Sequence, residues 1–578
     1  MRISRKGAGA IALGLGVAFA ASACAGGAGA ADAPTTPDTQ APAAQAPAAP
    51  AADGGAAEVY VPSIIAPENR VGAMENFAFG DTFRATQPIS LDLLYRIHPG
   101  YPVLEDWLVW QAFSDNQNVT FNRTDVLMAD WDARRNLLIA TGDFPTMVPV
   151  VWPGQESQWV TGGALLPVSD FFDYMPHFQH YVAEWDMARE LENRRSEDGN
   201  IYLLPGFRES PIAGSSFMIN ADIWEAAGVT SDPETFEELA AALRAVQATG
   251  LVDFAFSDRW TDNNPLGGAF NFVGPNFNTQ GGWALSTVRW SPDNEAFIGT
   301  AMADEYRNMI EFFAGLVADG VMNPDITQDD DSAIQQFITG RSAMMSSDFA
   351  QMNVVRNAAE EAGFDHNFRM IAVPDGTHNF LAGNRVGPGF VLNANAADSP
   401  YFLATLQFLD WILYSHEGRE FAQWGVRGTT FDIDANGDRF YLGNIGGAGR
   451  VWGDIAPEDR LPLNATFGFQ DGVWMNTWGG SNELAQSVMP VEEREYVATM
   501  VARKQPLPLS PAAPLTEMES EEVGMLSANI NDMVHAATAQ FILGIRPMSE
   551  WDSFREQLRS AGVDRVVEIH NAALARTR

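Results

Sequence analysis

Short apolar runs with strand-like patterning alternate along this chain with longer stretches of helical periodicity, and that alternation restricts the fold more than any other feature. Residues 89–95 (ISLDLLY) alternate like a strand, and residues 147–152 (MVPVVW) read as a second. Helices are expected at 134–140, ending near Gly142, at 221–227, stopped by Gly228, and at 233–248. In the last of these, Asp232, Thr235, Glu237 and Glu238 suit the positive end of the helix dipole. Further helices are expected at 302–319, 399–413, 523–542 and 551–561. Strands interleaved with helices imply an α/β chain with mostly parallel sheets covered on both faces.

The folded body does not start at the N-terminus. Arg2, Arg5 and Lys6 precede an apolar run at 11–21 that ends in small residues, the pattern of a cleavable export signal. That run is shorter than the roughly 20 residues of a membrane span. It closes with Ala21-Ser22-Ala23-Cys24, and Cys24 is the only cysteine in the chain, so no intrachain disulfide can form. The arrangement resembles a bacterial lipobox, in which the cysteine is lipidated and becomes the mature N-terminus. An ordinary signal peptide that contains a cysteine is the alternative. Residues 25–57, almost entirely Ala, Pro, Gly, Thr and Asp, cannot bury enough apolar surface to fold and read as a disordered tether.

From residue 58 onward there is room for two to four domains at about 150 residues each. A hydrophobic content of 46% and 16 tryptophans supply the core. The formal charge of −39 repels nucleic-acid phosphates, and no basic stripe offsets it.

A series of motifs then follows in order. Residues 141–145 (TGDFP) resemble the SGDLPD turn of extracellular solute-binding proteins, and 162–171 (GGALLPVSDF) resemble their G.L.PL.D segment. Residues 198–205 (DGNIYLLP), 217–229 (FMINADIWEAAGV), 233–239 (PETFEEL), 320–325 (GVMNPD) and 337–344 (FITGRSAM) continue it. Residues 408–424 (FLDWILYSHEGREFAQW), 541–552 (FILGIRPMSEWD) and 562–573 complete it. Together they resemble the family 1-like extracellular solute-binding proteins of bacterial ABC importers, in the long lipoprotein branch that includes alginate-binding proteins.

That resemblance implies a two-lobed, periplasmic-binding-protein-like (type II) fold with the ligand in a cleft between lobes. The chain would cross near 208–212, near 373–376 and near Ser415. The lobes would then be 58–210 with 375–415, and 211–374 with 416–578, after a signal at 1–24 and a tether at 25–57. The implied role is a monomeric, lipid-anchored protein on the outer face of the cell membrane. It would capture a carbohydrate, an oligosaccharide in particular, by cleft closure and deliver it to permease subunits, without a cofactor, without catalysis and without nucleic acid.

A sugar needs aromatic faces for stacking and polar groups for its hydroxyls. Trp152, in the loop after the second strand, is the first candidate platform. Trp260 with Asp262, Asn263 and Asn264 is a second, and Trp474, Asn476 and Trp478 (in GVWMNTWGG) are a third. Arg208 and Glu209 at the implied crossing, Asp348 after the strand-like AMMSS, and Asn384 with Arg385 could bind hydroxyls or a uronate carboxylate. For each tryptophan the alternative is a place in the core, and for each polar residue a role in holding its own loop.

Asp432, Asp434, Asn436, Gly437 and Asp438 (DIDANGD) carry oxygen ligands at EF-hand-like spacing, but Gly443 stands where the closing glutamate belongs. An acidic hairpin turn is the favoured reading there. The calcium loop of the alginate-binding relatives is not carried over, because residues 248–254 (ATGLVDF) lack its ligands. No Gly-rich phosphate loop, HExxH or GxSxG is present. Two alternatives stay open. An exported carbohydrate-active enzyme needs two carboxylates facing across a cleft, one with a raised pKa. A peptide binder of the same fold needs charged partners for both peptide termini.

Overall fold

The computed structural model describes residues 64–577, apart from 212–213, 259–265, 327, 382, 448–451, 453–454, 471–472 and 475–478. The export signal, Cys24 and the tether lie outside the described residues. Eight strands build the two principal sheets. They are β1 (Ile89–Ile97), β2 (Val119–Leu127), β3 (Met147–Val151), β4 (Leu203–Phe207), β5 (Ser215–Asn220), β6 (Met344–Asp348), β7 (Phe368–Ile371) and β8 (Val386–Leu392). The first sheet has the order β2-β1-β3-β8-β4 and the second β6-β5-β7.

Only one flank of the first sheet is parallel, β1 with β2 and with β3. β8 runs antiparallel to both β3 and β4, and the second sheet is antiparallel throughout. The expectation of mostly parallel sheets is corrected. β8 enters its sheet from the second one rather than through a helical crossover, so it runs against its neighbours.

Each sheet carries its own core. Around the first, Ile89, Leu91, Leu93 and Tyr95 alternate on one face of β1, while Leu94 joins a smaller cluster with Val148, Val151 and Leu203 on the other. The helix Phe402–Tyr414 is buried along its whole length in this core, as a helix apolar on every side must be. Around the second, the helix Asp304–Ala318 turns Tyr306, Met309, Ile310, Phe313 and Leu316 inward at spacings of three and four. Three C-terminal helices (Glu517–Ile542, Trp551–Ser560 and Val563–Thr577) pack against the same core.

Local chemistry sets several boundaries. The helix expected from residue 233 begins at Phe236, because the Thr235 hydroxyl accepts the Glu238 N–H at 3.2 Å. The helix expected from residue 523 starts at Glu517, where Thr516 and Glu519 form a capping box.

The chain passes from the first sheet to the second between Phe207 and Ser215 and returns between Ile371 and Val386. The third crossing expected near Ser415 is corrected. Ser415 caps the next helix, His416–Trp424, by accepting the Gly418 N–H at 2.9 Å. A Cβ on Gly418 would lie 2.1 Å from the Trp411 carbonyl oxygen, so the two helices meet at a tight corner. Phe421, Ile445, Leu463, Phe469 and Trp474 remain in the first core, and Tyr496 is in the second. The third passage therefore lies between Trp474 and Tyr496. The passages run side by side: Arg208 N–H donates to the Arg385 carbonyl at 2.8 Å, and Gly480 N–H to the Phe207 carbonyl at 2.7 Å.

Candidate functional site

Pairing register orients the first sheet. Val386 lies opposite Phe207 and Gly389 opposite Val151, so β3 and β4 both end at the edge where the chain crosses. β1 is parallel to β3 and ends there too. In open α/β sheets, ligands bind outside the carboxyl ends of the strands. In the second sheet Ser215 pairs with Asp348, which puts the end of β6 beside the outgoing passage.

Trp152 follows β3 at this edge. The preceding Val150 has φ 56°, a left-handed conformation that is strained for a β-branched residue. Arg135 holds it there, donating from Nη1 to the Val150 carbonyl at 3.0 Å. Arg135 is 1% exposed, pairs with Asp132 at 2.7 Å, and lies with its guanidinium 5.2 Å from the Trp159 ring centre. Opposite, the β8 register shifts between Gly389 and Val391. The strand end thus bends, and Trp152 sits half-buried on a braced turn, donating its N–H to Gln155 Oε1 at 3.1 Å. Beneath it the Glu156 carboxylate accepts the Gly154 N–H at 2.7 Å. Burial pushes that carboxyl up, against the opposing pull of Arg194.

The loop after β1 adds a pair that sequence reasoning missed. The rings of His98 and Tyr101 stack with centroids 4.0 Å apart and planes 9° apart. Burial, then the Arg96 charge, lowers His98 to about 4, so the ring is neutral at physiological pH. Gly100 N–H donates to His98 Nδ1 at 3.0 Å, which leaves the ring proton on Nε2 as a donor. Burial pushes the Tyr101 hydroxyl up to about 12. The available signal was the sequence RIHPGYP directly after a strand.

At the passages, Arg385 donates to Glu190 Oε1 at 2.9 Å and to the Trp185 carbonyl. It thereby ties the return passage to the first lobe. Glu209 Oε2 accepts the Asn482 N–H at 2.7 Å, and Asn482 Nδ2 donates to Ser210 Oγ at 3.0 Å. Arg208 and Asn384 lie half-buried beside them. Tyr181 and Trp185, also half-buried, pack with ring centroids 4.2 Å apart and planes tilted by 31°. Burial, then Glu184 and Glu209, raises the Tyr181 hydroxyl.

On the second lobe, Asp348 caps the helix Phe349–Glu361, with Oδ1 accepting the Gln351 N–H at 2.8 Å. Glu493, on the helix Val491–Arg503, is pushed up to about 7 by burial, then by the charges of Asp348 and Glu492. Glu492 itself pairs with Arg356 at 2.8 Å. Asp258, 2% exposed, accepts the Ser346 hydroxyl at 2.8 Å.

The structure corrects one candidate. Trp474 is 1% exposed, with Phe113, Phe121 and Phe390 at centroid distances of 5.3, 5.5 and 6.2 Å, so it is a core residue. Trp260 and Asn264, with Asp262 and Asn263, lie outside the described residues, as do Asn476 and Trp478. Asp432 to Asp438 form a hairpin between β9 (Phe431–Ile433) and β10 (Arg439–Tyr441). Asp434 Oδ1 accepts the N–H groups of Asn436 and Asp438 at 2.8 and 2.9 Å, and Asp432 pairs with Arg427 at 3.0 Å. Among the described residues, no group of three or more His, Cys, Asp or Glu side chains converges as a metal site.

A family profile described as bacterial extracellular solute-binding protein matches residues 109–433. No curated protein matches the sequence. Among solved structures, the fold is similar to that of an alginate-binding protein determined without calcium ion. That similarity has a TM-score of 0.63 at 19% identity, covering 86% of this chain and 99% of the other. An extracellular solute-binding protein from Bifidobacterium longum subsp. infantis gives a TM-score of 0.64 at 14% identity, with 86% and 99% covered. The substrate-binding protein of an S. pneumoniae ABC transporter, in complex with kestose, gives 0.59 at 17%, with 85% and 99% covered.

Proposed function

The chain belongs to the bacterial extracellular solute-binding protein family, and from that premise we propose that it binds an oligosaccharide between its two lobes and delivers it to an ABC permease. The observation that carries this reading is the set of half-buried aromatics at the carboxyl edge of the first sheet. Trp152 follows β3 and the His98–Tyr101 stack follows β1 at that edge, and the tilted Tyr181–Trp185 pair is joined to the return passage by Arg385, which donates to the Trp185 carbonyl. Stacking faces interleaved with hydrogen-bonding groups are what a sugar ring needs. Two of the proteins with a similar fold are an alginate-binding protein and a substrate-binding protein in complex with kestose.

The mechanism follows from the passages. Separate cores make each lobe a rigid body, and the connecting segments are the places that can absorb a change in φ and ψ. A ligand that touches both lobes only when they close draws the population toward the closed form by its differential affinity. The closed form is then what the permease recognises. Lipid attachment at Cys24 and the tether at 25–57 would keep the body near that permease, since two acyl chains give a stable anchor where one does not. Changing Cys24→Ala should release the protein from the membrane fraction; retention there would exclude anchoring through this residue.

A thermal-shift screen of the mature protein against oligosaccharides and peptides tests the ligand class, because binding to the native state raises the melting temperature. Shifts with oligosaccharides are expected; shifts with peptides alone would overturn the sugar reading. A hydrolase reading draws on one observation, the elevated Glu493 carboxyl beside Asp348. Both residues belong to the same lobe rather than facing across the cleft, which disfavours it. Release of reducing sugar by wild type and not by Glu493→Gln would establish it.

A further inference from the structure

The segment that follows the third passage leaves the second lobe and returns to it. The helix Val491–Arg503 places Tyr496 and Met500 in the second core, and the helix Glu517–Ile542 places Ile530 and Val534 there. Between them run residues 505–516, with Pro506, Pro508, Pro511 and Pro514 at intervals of two and three. Apart from the two-residue strand Gln505–Pro506 they form neither helix nor sheet, and residues 507–516 are half-buried throughout. Proline at this density favours an extended, semi-rigid conformation that advances about 3.1 Å per residue.

Both ends are fastened to the second lobe. At the first, Lys504 is buried and donates from Nζ to Asn276 Oδ1 and Asp375 Oδ1, at 2.7 Å each. Gln505 N–H donates to the Asn379 carbonyl at 2.8 Å, and Gln505–Pro506 pairs in parallel with Phe380–Leu381 of the return passage. At the other end, Thr577 Oγ1 donates to the Ala512 carbonyl at 3.0 Å and Arg576 Nη2 to the Pro514 carbonyl at 3.1 Å. Between these anchors the segment meets the first lobe, where Asn193 Nδ2 donates to the Ser510 carbonyl at 2.9 Å. Asn193 ends the short helix Ala188–Glu192, whose Leu191 lies in the first core and whose Glu190 pairs with Arg385 of the return passage at 2.9 Å. One first-lobe helix thus receives both a passage and the mid-span of a segment held by the other lobe.

A semi-rigid segment fixed at both ends to one body and bonded midway to another resists rotation between them, because rotation must break the midway bond or bend the segment. We propose that residues 505–516 are a strap that limits how far the two lobes of the ligand-free protein rotate about the passages, with Asn193 as its seat. The proposal rests on the lobes moving as two bodies, as in the mechanism above, and not on which ligand they hold.

The experiment measures the distance between the lobes with spin labels on Ser114→Cys and Ser553→Cys, exposed positions on a helix of each lobe. The mature chain carries Cys24→Ser so that the two labels are unique. Without ligand, one narrow distance distribution is expected. Asn193→Ala removes the midway bond and should raise the population outside that distribution about fivefold, the change expected from one net hydrogen bond. Pro508→Gly with Pro511→Gly keeps the bond but removes the stiffness, and should about double the width of the distribution. The melting transition of each variant checks that it is folded. A broad distribution in the unmodified strap, or one unchanged in both folded variants, would overturn the proposal. Oligosaccharide binding is read separately in the thermal screen, so either result would leave the sugar reading standing.

Discussion

Replacing Glu493 with glutamine removes a carboxyl that burial, Asp348 and Glu492 raise from 4.5 to about 7. The folded state holds this proton more tightly than the unfolded chain does. Stability linked to the group is therefore fully present below about 4.5, falls as pH rises, and is lost once pH passes about 7. An elevation of roughly 2.5 pH units corresponds to about 3 kcal/mol when the group is ionised. Partial contact with water lowers the effective cost to about 2 kcal/mol. Glutamine fills the same space without the charge. For a unit of the second lobe's size, about 2 kcal/mol moves the melting temperature by about 4–8 °C. The assay is calorimetric unfolding of wild type and Glu493→Gln at pH 4, 6 and 8. Glu493→Gln should melt higher at pH 8, less so at pH 6, and together with wild type at pH 4. An equal difference at pH 4 and 8, or a lower transition for the variant at pH 8, would refute the reasoning.

Other substitutions separate site from scaffold. Trp152→Ala should weaken oligosaccharide binding at least tenfold while moving the melting temperature little, because the ring is half-buried at the sheet edge; titration and calorimetry on the same sample check both. Trp474→Ala should cost about 3–5 kcal/mol through the cavity it leaves among Phe113, Phe121 and Phe390, read by denaturant unfolding. Lys504→Met should lower the melting transition, since it leaves Asn276 Oδ1 and Asp375 Oδ1 without the Nζ donor that now lies 2.7 Å from each.

Legibility in the sequence followed the range of the interactions involved. β1 and the helix Asp304–Ala318 were readable because their apolar patterns repeat over many residues, and β3 because it is a short continuous apolar run, buried at every position. Ordered motifs such as GDFP and DGNIYLLP pointed to the family because turns demand particular residues at particular places. The third passage was misplaced because a serine that ends one helix and caps the next looks locally like the start of a linker. What separates Ser415 from one is the close approach of Gly418 to the Trp411 carbonyl, a tertiary fact. Trp474 and Trp152 are the same residue type in loops. One is packed among distant phenylalanines and the other is turned out by strain at Val150, and neither partner set is near in sequence. The Glu493–Asp348 pair unites two residues far apart in the chain, so no local motif announces it.

The most direct test of the central claim is equilibrium titration of the mature protein with a neutral oligosaccharide chosen from the thermal screen. The account predicts saturable one-site binding with a negative heat-capacity change from apolar surface buried on closure. It also predicts that Trp152→Ala abolishes most of the affinity. Saturation by peptides alone, or by no carbohydrate at all, would contradict it.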